Sequence, residues 1–127
     1  MNSLEFIKTL PIGAKRYFFA TLGEGENAVA VYEKATANET ALGGEKTTKT
    51  RSKSLSILIH WSRRADETRN AALKLYNLLK AVQGVIFDDV RIAFVRLSNN
   101  EPIDVGTDKE GIFERIIDCK IYYERMD

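Results

Sequence analysis

Two adjacent stretches decide the fold: KSLSILIHW at residues 53–61 and SRRADETRNAALKLYNLLKAV at residues 62–82. In the first, apolar side chains take every second position, and Leu58 adds one on the opposite side. This alternation predicts a central strand that is partly buried on both faces. In the second, apolar residues recur at helical spacing, which predicts a long amphipathic helix with Ser62 as its N-terminal cap. These apolar residues are Ala71, Leu75, Leu78, Leu79 and Val82.

Upstream of these stretches, the sequence predicts one helix and two strands. Residues 3–10 carry apolar side chains at helical spacing and are followed by a proline and a glycine, which end the helix. The segments RYFFATL (residues 16–22) and AVAVYE (residues 28–33) predict short strands. Because residues 23–27 are rich in turn-forming types, we expect the two strands to form a hairpin.

Downstream, two more strands are predicted, at residues 90–97 (VRIAFVRL) and 112–123 (IFERIIDCKIYY), with a loop at residues 98–111. The last strand alternates apolar and polar residues, so one of its sides is covered and the other faces water. The whole order predicts a single α+β domain over residues 1–127. We expect a mostly antiparallel sheet of four to five strands, one long helix packed across a face, and a short N-terminal helix.

Between the second and third predicted strands lies TANETALGGEKTTKT, at residues 36–50, which is polar and shows no periodicity. It predicts an exposed, flexible loop of unusual length for a compact domain. A run of four cations overlaps its end: Lys46, Lys49, Arg51 and Lys53. These cations are either solvated or contact DNA, an acidic protein surface or a neighbouring subunit.

Composition excludes several classes of protein. The 127 residues hold 19 Lys+Arg, 18 Asp+Glu, one His and one Cys, for a net charge of +1. One cysteine cannot form an internal disulfide, and one His with one Cys cannot supply a zinc site of those ligands. The near-neutral charge argues against a bulk electrostatic grip on nucleic acid. Apolar runs far below roughly 20 residues predict no membrane span, and no secretion signal is evident, so we expect a cytosolic protein.

The residues that could carry chemistry favour structural roles, so the sequence predicts neither an enzyme nor a bound metal or cofactor. His60 lies on the polar side of its strand with no nucleophile or carboxylate partner evident, which predicts a structural or surface role. Cys119 lies on the apolar side of the last strand and is expected to be a core residue. Solvated turns are the expected setting of four acidic residues: Asp88, Asp89, Asp104 and Asp108.

Two adjacent aromatic pairs, Phe18-Phe19 and Tyr122-Tyr123, predict a second contact surface. Neighbouring strand residues face opposite sides, so one member of each pair looks away from a one-sided core. Either a second layer, such as the N-terminal helix, covers it, or it lies in a protein interface. Phe18 and Tyr122 are the candidate subunit-interface residues.

Seven short strings recur in a characteristic order and spacing over residues 3–125: Tyr17-Phe18, NAVAVYE (27–33), LSILIHWS (55–62), LYNLL (75–79), PIDVG (102–106), DKEG (108–111) and IYYE (121–124). In these strings the chain resembles the tailed-bacteriophage minor capsid proteins of the tail-terminator and head–tail joining type. In two places the chain departs from the family pattern: it has the long stretch 36–50 where members have a short Gly/Pro loop, and Asn77 where members have Asp.

The resemblance implies a non-enzymatic virion protein that assembles in the host cytoplasm, caps the tail tube and presents a surface to the head connector. Such proteins form rings, commonly hexamers, so the implied partners are further copies of the chain, the tail tube protein and head connector proteins. DNA passes only as cargo, no membrane is involved, and the cation run would contact a partner or the ring lumen. Two other hypotheses stay open: a small cytosolic ligand- or protein-binding module, and a metal-dependent hydrolase or nuclease using the four acidic residues above.

Overall fold

The computed structural model describes residues 1–35 and 50–126, which form two helices and seven strands. The helices are α1 (Ser3–Lys8) and α2 (Ala65–Lys80). The strands are β1 (Arg16–Phe19), β2 (Ala28–Lys34), β3 (Thr50–His60), β4 (Gln83–Phe87), β5 (Val90–Leu97), β6 (Ile103–Thr107) and β7 (Phe113–Arg125).

The sheet is built around the pairing of β3 with β7. These strands run antiparallel over the full length of β3, from Thr50 opposite Glu124 to His60 opposite Glu114. The strand order is β1-β2-β3-β7-β5-β4, and β6 pairs with the first residues of β7. Because β3 occupies one edge of β7 throughout, β5 and β6 follow each other along its other edge.

The core lies on one face of this sheet, beneath both helices. Every second residue of β3 and β7 points into it, and α2 lays its apolar stripe across β3, β5 and β7. As predicted, the alternating residues of the last strand include buried ones, and Cys119 is among them. The largest buried side chains of this core include Phe6, Ile7, Leu55, Ile57, Ile59, Leu75, Leu79, Ile92 and Ile121.

Both predicted helices are present, with shifted ends. The N-cap of α1 is Asn2, whose Oδ1 accepts from the Glu5 amide at 3.1 Å. The long helix begins at Ala65 rather than Ser62, because the chain at its N-cap, Arg64, is still extended. Ser62 does act on the first turn, since its hydroxyl donates to the Glu67 carboxylate at 2.9 Å.

The expected hairpin of the first two strands is wrong, because β1 and β2 pair in parallel. β1 ends at Phe19, since Ala20 has a positive φ of 61° that breaks the extended chain. Residues 20–27 then carry the chain back to the level where β1 began, and Arg16 stands opposite Ala28. The turn-rich composition of this connection indicated a reversal but not its length.

The sheet has seven strands rather than four to five, because β4 and β6 were not predicted. Both are five residues long and mostly exposed, so neither shows the alternation of a half-buried strand. β4 forms a tight hairpin with β5 through Asp88, which takes a positive φ of 57° that Asp tolerates. β6 lies within the stretch that composition predicted as a loop.

The predicted flexible loop at residues 36–50 falls, except for Thr50, outside the described residues. Thr50 itself is the first residue of β3. Neither helix in the described part of the chain is long and apolar enough to cross a membrane.

Neighbouring substitutions on β3 test whether only one face is packed. Ile57 is fully buried beneath the helices, whereas Leu58 on the other face is half-buried. We expect Ile57→Ala to lower the free energy of unfolding by about 2–5 kcal/mol, and Leu58→Ala to lower it by clearly less. Urea unfolding of both variants measures this, and equal losses would contradict the one-sided core.

Candidate assembly surface

The face of the sheet opposite α1 and α2, here called the second face, carries both predicted interface residues. Strand register places Phe18 on it, opposite Ala30, and Tyr122 on it, opposite Ser52. The N-terminal helix does not cover this face, because α1 buries Phe6 in the same core as α2. The hypothesis that α1 forms a second layer over Phe18 and Tyr122 is therefore wrong.

Phe18 begins an apolar row that crosses the second face. The register continues from Ala30 to Leu58, then to Ile116 on β7 and Ile103 on β6. The Phe18 ring lies against Gly23, where an added Cβ would come within 2.4 Å of the ring. Gly23 therefore permits the half-buried position that this ring takes.

Tyr122 belongs to a separate aromatic cluster near the other edge of the sheet. Its ring stacks on Phe94 with centroids 4.6 Å apart and planes 16° from parallel. The guanidinium of Arg96 and the ammonium of Lys120 each lie 5.6 Å from the Tyr122 centroid, within the range of a cation–π contact. Phe94 remains 47% exposed, so the stack offers an apolar ring flanked by cations.

A bulge in β5 creates this cluster. The register between β5 and β7 shifts by one residue between Ile92 and Phe94. Ile92 pairs with Tyr123 on the core side, and the shift brings Phe94 opposite Tyr122 on the second face. Strict alternation would place Ile92 and Phe94 on one side, so the sequence pattern could not reveal the stack.

The second face extends to an apolar edge at β4, the last strand in the sheet order. Ile86 pairs with Arg91, which in turn pairs with Glu124, so Ile86 lies on the same face as the stack. It is 66% exposed, the highest value among the exposed large apolar residues of the described chain. No charged residue or proline interrupts β4, although such residues commonly guard sheet edges.

Phe18 and the Tyr122 cluster lie far apart on the second face. Their rows cross β3 at Leu58 and Ser52, six residues apart in the strand. At the rise of an extended chain, that separation is roughly 20 Å. The two predicted interface residues therefore mark two patches, one near the β1 edge and one near the β4 edge.

The four predicted contact cations do not form one described group. Lys46 and Lys49 lie outside the described residues, and Arg51 is exposed near the start of β3. Lys53 is held on the helix side, where its ammonium donates to the Met1 carbonyl at 2.9 Å and pairs with Glu33 at 3.0 Å. Burial raises the pKa of Glu33, but hydrogen bonds from Lys53 and from Ser3 outweigh it and leave that pKa lowered.

The sequence pattern did not indicate that His60 pairs with Asp108. His60 is only 3% exposed, and its Nε2 lies 2.8 Å from a carboxylate oxygen of Asp108. A structural role for His60 agrees with these contacts, although the sequence showed no sign of the carboxylate partner. The expectation that Asp108 is only solvated is wrong. His60 and Asp108 lie 48 residues apart, and the pairing of β3 with β7 brings them together, so no local spacing could have indicated the pair.

The other candidates for chemistry are Cys119 and the acidic residues, and in residues 1–35 and 50–126 they form neither a reactive thiol nor a metal site. Burial raises the pKa of the Cys119 thiol to about 12, which leaves almost no reactive thiolate at neutral pH. Residues 1–35 and 50–126 contain no group of three or more His, Cys, Asp or Glu arranged to hold a metal ion. The carboxylate cluster that the hydrolase hypothesis needs is therefore not formed by Asp88, Asp89, Asp104 and Asp108.

Comparison with known proteins identifies the family to which the chain belongs. A comparison with curated proteins returned no match. A family model described as bacteriophage tail terminator protein matches residues 2–125, nearly the whole chain. That family is structural rather than catalytic, and its members are components of the virion. The chain therefore belongs to the bacteriophage tail terminator family.

Proposed function

We propose that this chain caps the tail tube of a tailed phage or prophage, as a ring that also joins the tail to the head as a minor capsid protein. The observation that carries the proposal is the family match over residues 2–125. Assembly would take place in the host cytoplasm. Six subunits is the ring number that the resemblance to tail terminators implies.

The two patches of the second face support a head-to-tail ring. A heterologous interface joins two different surfaces, so each subunit must carry one of each at separate places. Phe18 lies near the β1 edge and Tyr122 near the β4 edge, as such an interface requires. Apolar exposure at Ile86 and Phe94 gives the second patch the character of an interface core.

The cation run is the candidate contact with a partner protein or with the ring lumen. Lys46, Lys49 and Arg51 are the cations of residues 46–51, and we assign them to such a surface. Lys53 pairs with Glu33 within the fold and is therefore a weaker candidate for a partner or lumen contact. The net charge of +1 suits a lumen through which DNA passes without being held.

The capping role is tested with the tail tube protein encoded in the same phage genome. Tubes polymerised with this chain present are expected to be short and closed at one end, as seen by electron microscopy. Tubes polymerised without it should keep growing. Tubes of the same length distribution with and without the chain, and no density at their ends, would contradict the capping role.

Truncating the aromatic stack is expected to weaken subunit association. Removing a half-exposed aromatic side chain from an interface core costs on the order of 1–2 kcal/mol, so Phe94→Ser should weaken association about five- to thirtyfold. Sedimentation equilibrium measures the change, and the unfolding midpoint shows that the fold persists. Val105→Ser is the matched control, because Val105 on β6 is 44% exposed but lies outside the stack. Equal effects of the two substitutions would show that the stack is not part of the subunit interface.

Substituting Lys46, Lys49 and Arg51 together tests whether these cations serve the contact with a partner or the lumen rather than ring formation. The triple variant Lys46→Ser, Lys49→Ser and Arg51→Ser is expected to form normal rings while yielding fewer infectious particles, because a partner or lumen contact is lost. Negative-stain images count the rings, and plaque titres count the particles. Unchanged titres would show that these cations are merely solvated. Lys53→Ser serves as the contrast, and should instead lower stability by about 0.2–1 kcal/mol through the Glu33 pair.

A further inference from the structure

Three segments that are distant in the chain meet on one buried side chain at the end of β3. His60 is the last residue of that strand and the only histidine of the chain. Its Nδ1 lies 2.9 Å from the carbonyl oxygen of Gly25, in the connection between β1 and β2. Its Nε2 lies 2.8 Å from Asp108, in the connection between β6 and β7.

The chemistry of the two partners determines which groups donate. A backbone carbonyl can only accept, so Nδ1 of His60 must carry hydrogen toward Gly25. The hydrogen bond from His60, followed by the backbone amide of Ile112, lowers the pKa of Asp108 to about 2, so this carboxylate also only accepts at neutral pH. Both ring nitrogens therefore face acceptors, and only the imidazolium form of histidine has two N–H donors.

We propose that His60 is held as a cation and forms a proton-dependent clasp, which ties the β1–β2 connection and the β6–β7 connection to the end of the central strand. Loss of its proton leaves one ring nitrogen with a lone pair facing an oxygen, so one of the two bonds is lost. The clasp then releases one connection, and the end of the sheet that carries both loosens.

Asp108 is built to accept this bond. Its Oδ1 takes hydrogen bonds from the amides of Glu110 at 2.8 Å and Ile112 at 3.0 Å, which shape the β6–β7 connection. Its Oδ2 is left for His60. Deprotonation of the histidine therefore acts on the residue that organises this connection.

The backbone at Gly25, the other hydrogen-bond partner of His60, is also constrained. Gly25 has a φ of +112°, and a Cβ added there would lie 2.7 Å from Nε of Arg16. Arg16 in turn donates to the Glu26 carbonyl at 2.7 Å. A glycine is therefore needed for the Gly25 carbonyl to reach the histidine.

Two further charged side chains, Glu114 and Arg63, lie near His60 or link its two partner connections. Glu114 stands opposite it on β7, and its pKa is raised overall, because burial outweighs the lowering effect of His60 and the Asp108 carboxylate adds to the rise. Arg63, after β3, lies 3.8 Å from the Glu26 carboxylate and donates to the Glu110 carbonyl at 3.2 Å. Arg63 thus links the same two connections from outside, and it bears a fixed charge across the pH range concerned.

The clasp depends on the charge of both side chains. Both hydrogen bonds of His60 are made only while its ring carries hydrogen on both nitrogens. Asp108 contributes stability that is present above its ordinary range and is lost as pH falls toward about 2.

The test uses the single histidine as its own probe. Long-range ¹H–¹⁵N spectra of the wild-type chain at pH 6–7 are expected to show both His60 nitrogens in the protonated range. In Asp108→Asn the amide can donate to Nε2, so we expect a neutral ring with hydrogen only on Nδ1. A neutral ring in the wild type, or the same titration in both proteins, would overturn the proposal.

A second readout needs no substitution. As pH rises from about 6 to about 9, exchange of the Ile112 amide, which donates to Asp108, is expected to speed up several-fold more than exchange of amides in the β3–β7 ladder, after correction for intrinsic base catalysis. Parallel acceleration of loop and ladder amides would overturn the clasp and leave only a general loss of stability.

Discussion

The long antiparallel pairing of β3 with β7 is the constraint on which the rest of the structure depends. Along it, the odd-numbered residues of both strands face the helices, and Leu55, Ile57 and Ile59 are completely buried. A slip of one residue would send those side chains to the other face and bring serines into the core. β2 and β1 extend the sheet from β3, and β5, β4 and β6 extend it from β7.

The same register positions the residues on which both proposals rest. By directing odd residues inward, the ladder directs Tyr122 outward, and the bulge in β5 adds Phe94 to it. It also carries His60 to the end of the sheet where Asp108 arrives on the far side of β7. The aromatic stack of the proposed assembly surface and the proposed clasp therefore both depend on this pairing, and they lie near opposite ends of β3.

The sequence could predict what depends on local pattern. The alternation in residues 53–61, the stripe of α2 and the alternation of β7 indicated the α+β class and its one-sided core, and the adjacent aromatic pairs indicated that aromatic side chains lie on both faces of the sheet. Features decided by distant partners could not be predicted. The parallel pairing of β1 with β2 depends on how far residues 20–27 travel, and β4 and β6 are too exposed to alternate. The stack needs a bulge, and the His60–Asp108 pair needs the finished sheet.

A chain that caps tail tubes as proposed closes into a ring of defined size, and its molar mass in solution shows whether it does. Light scattering on a sizing column, over a wide range of concentration, compares the particle with the 14.4 kDa protomer. We expect one species with a mass that stays constant once formed, at about six protomers, because a heterologous interface closes only at a fixed rotation. A monomer at every concentration, alone and with tail tubes added, or a mass that grows without limit, would contradict it.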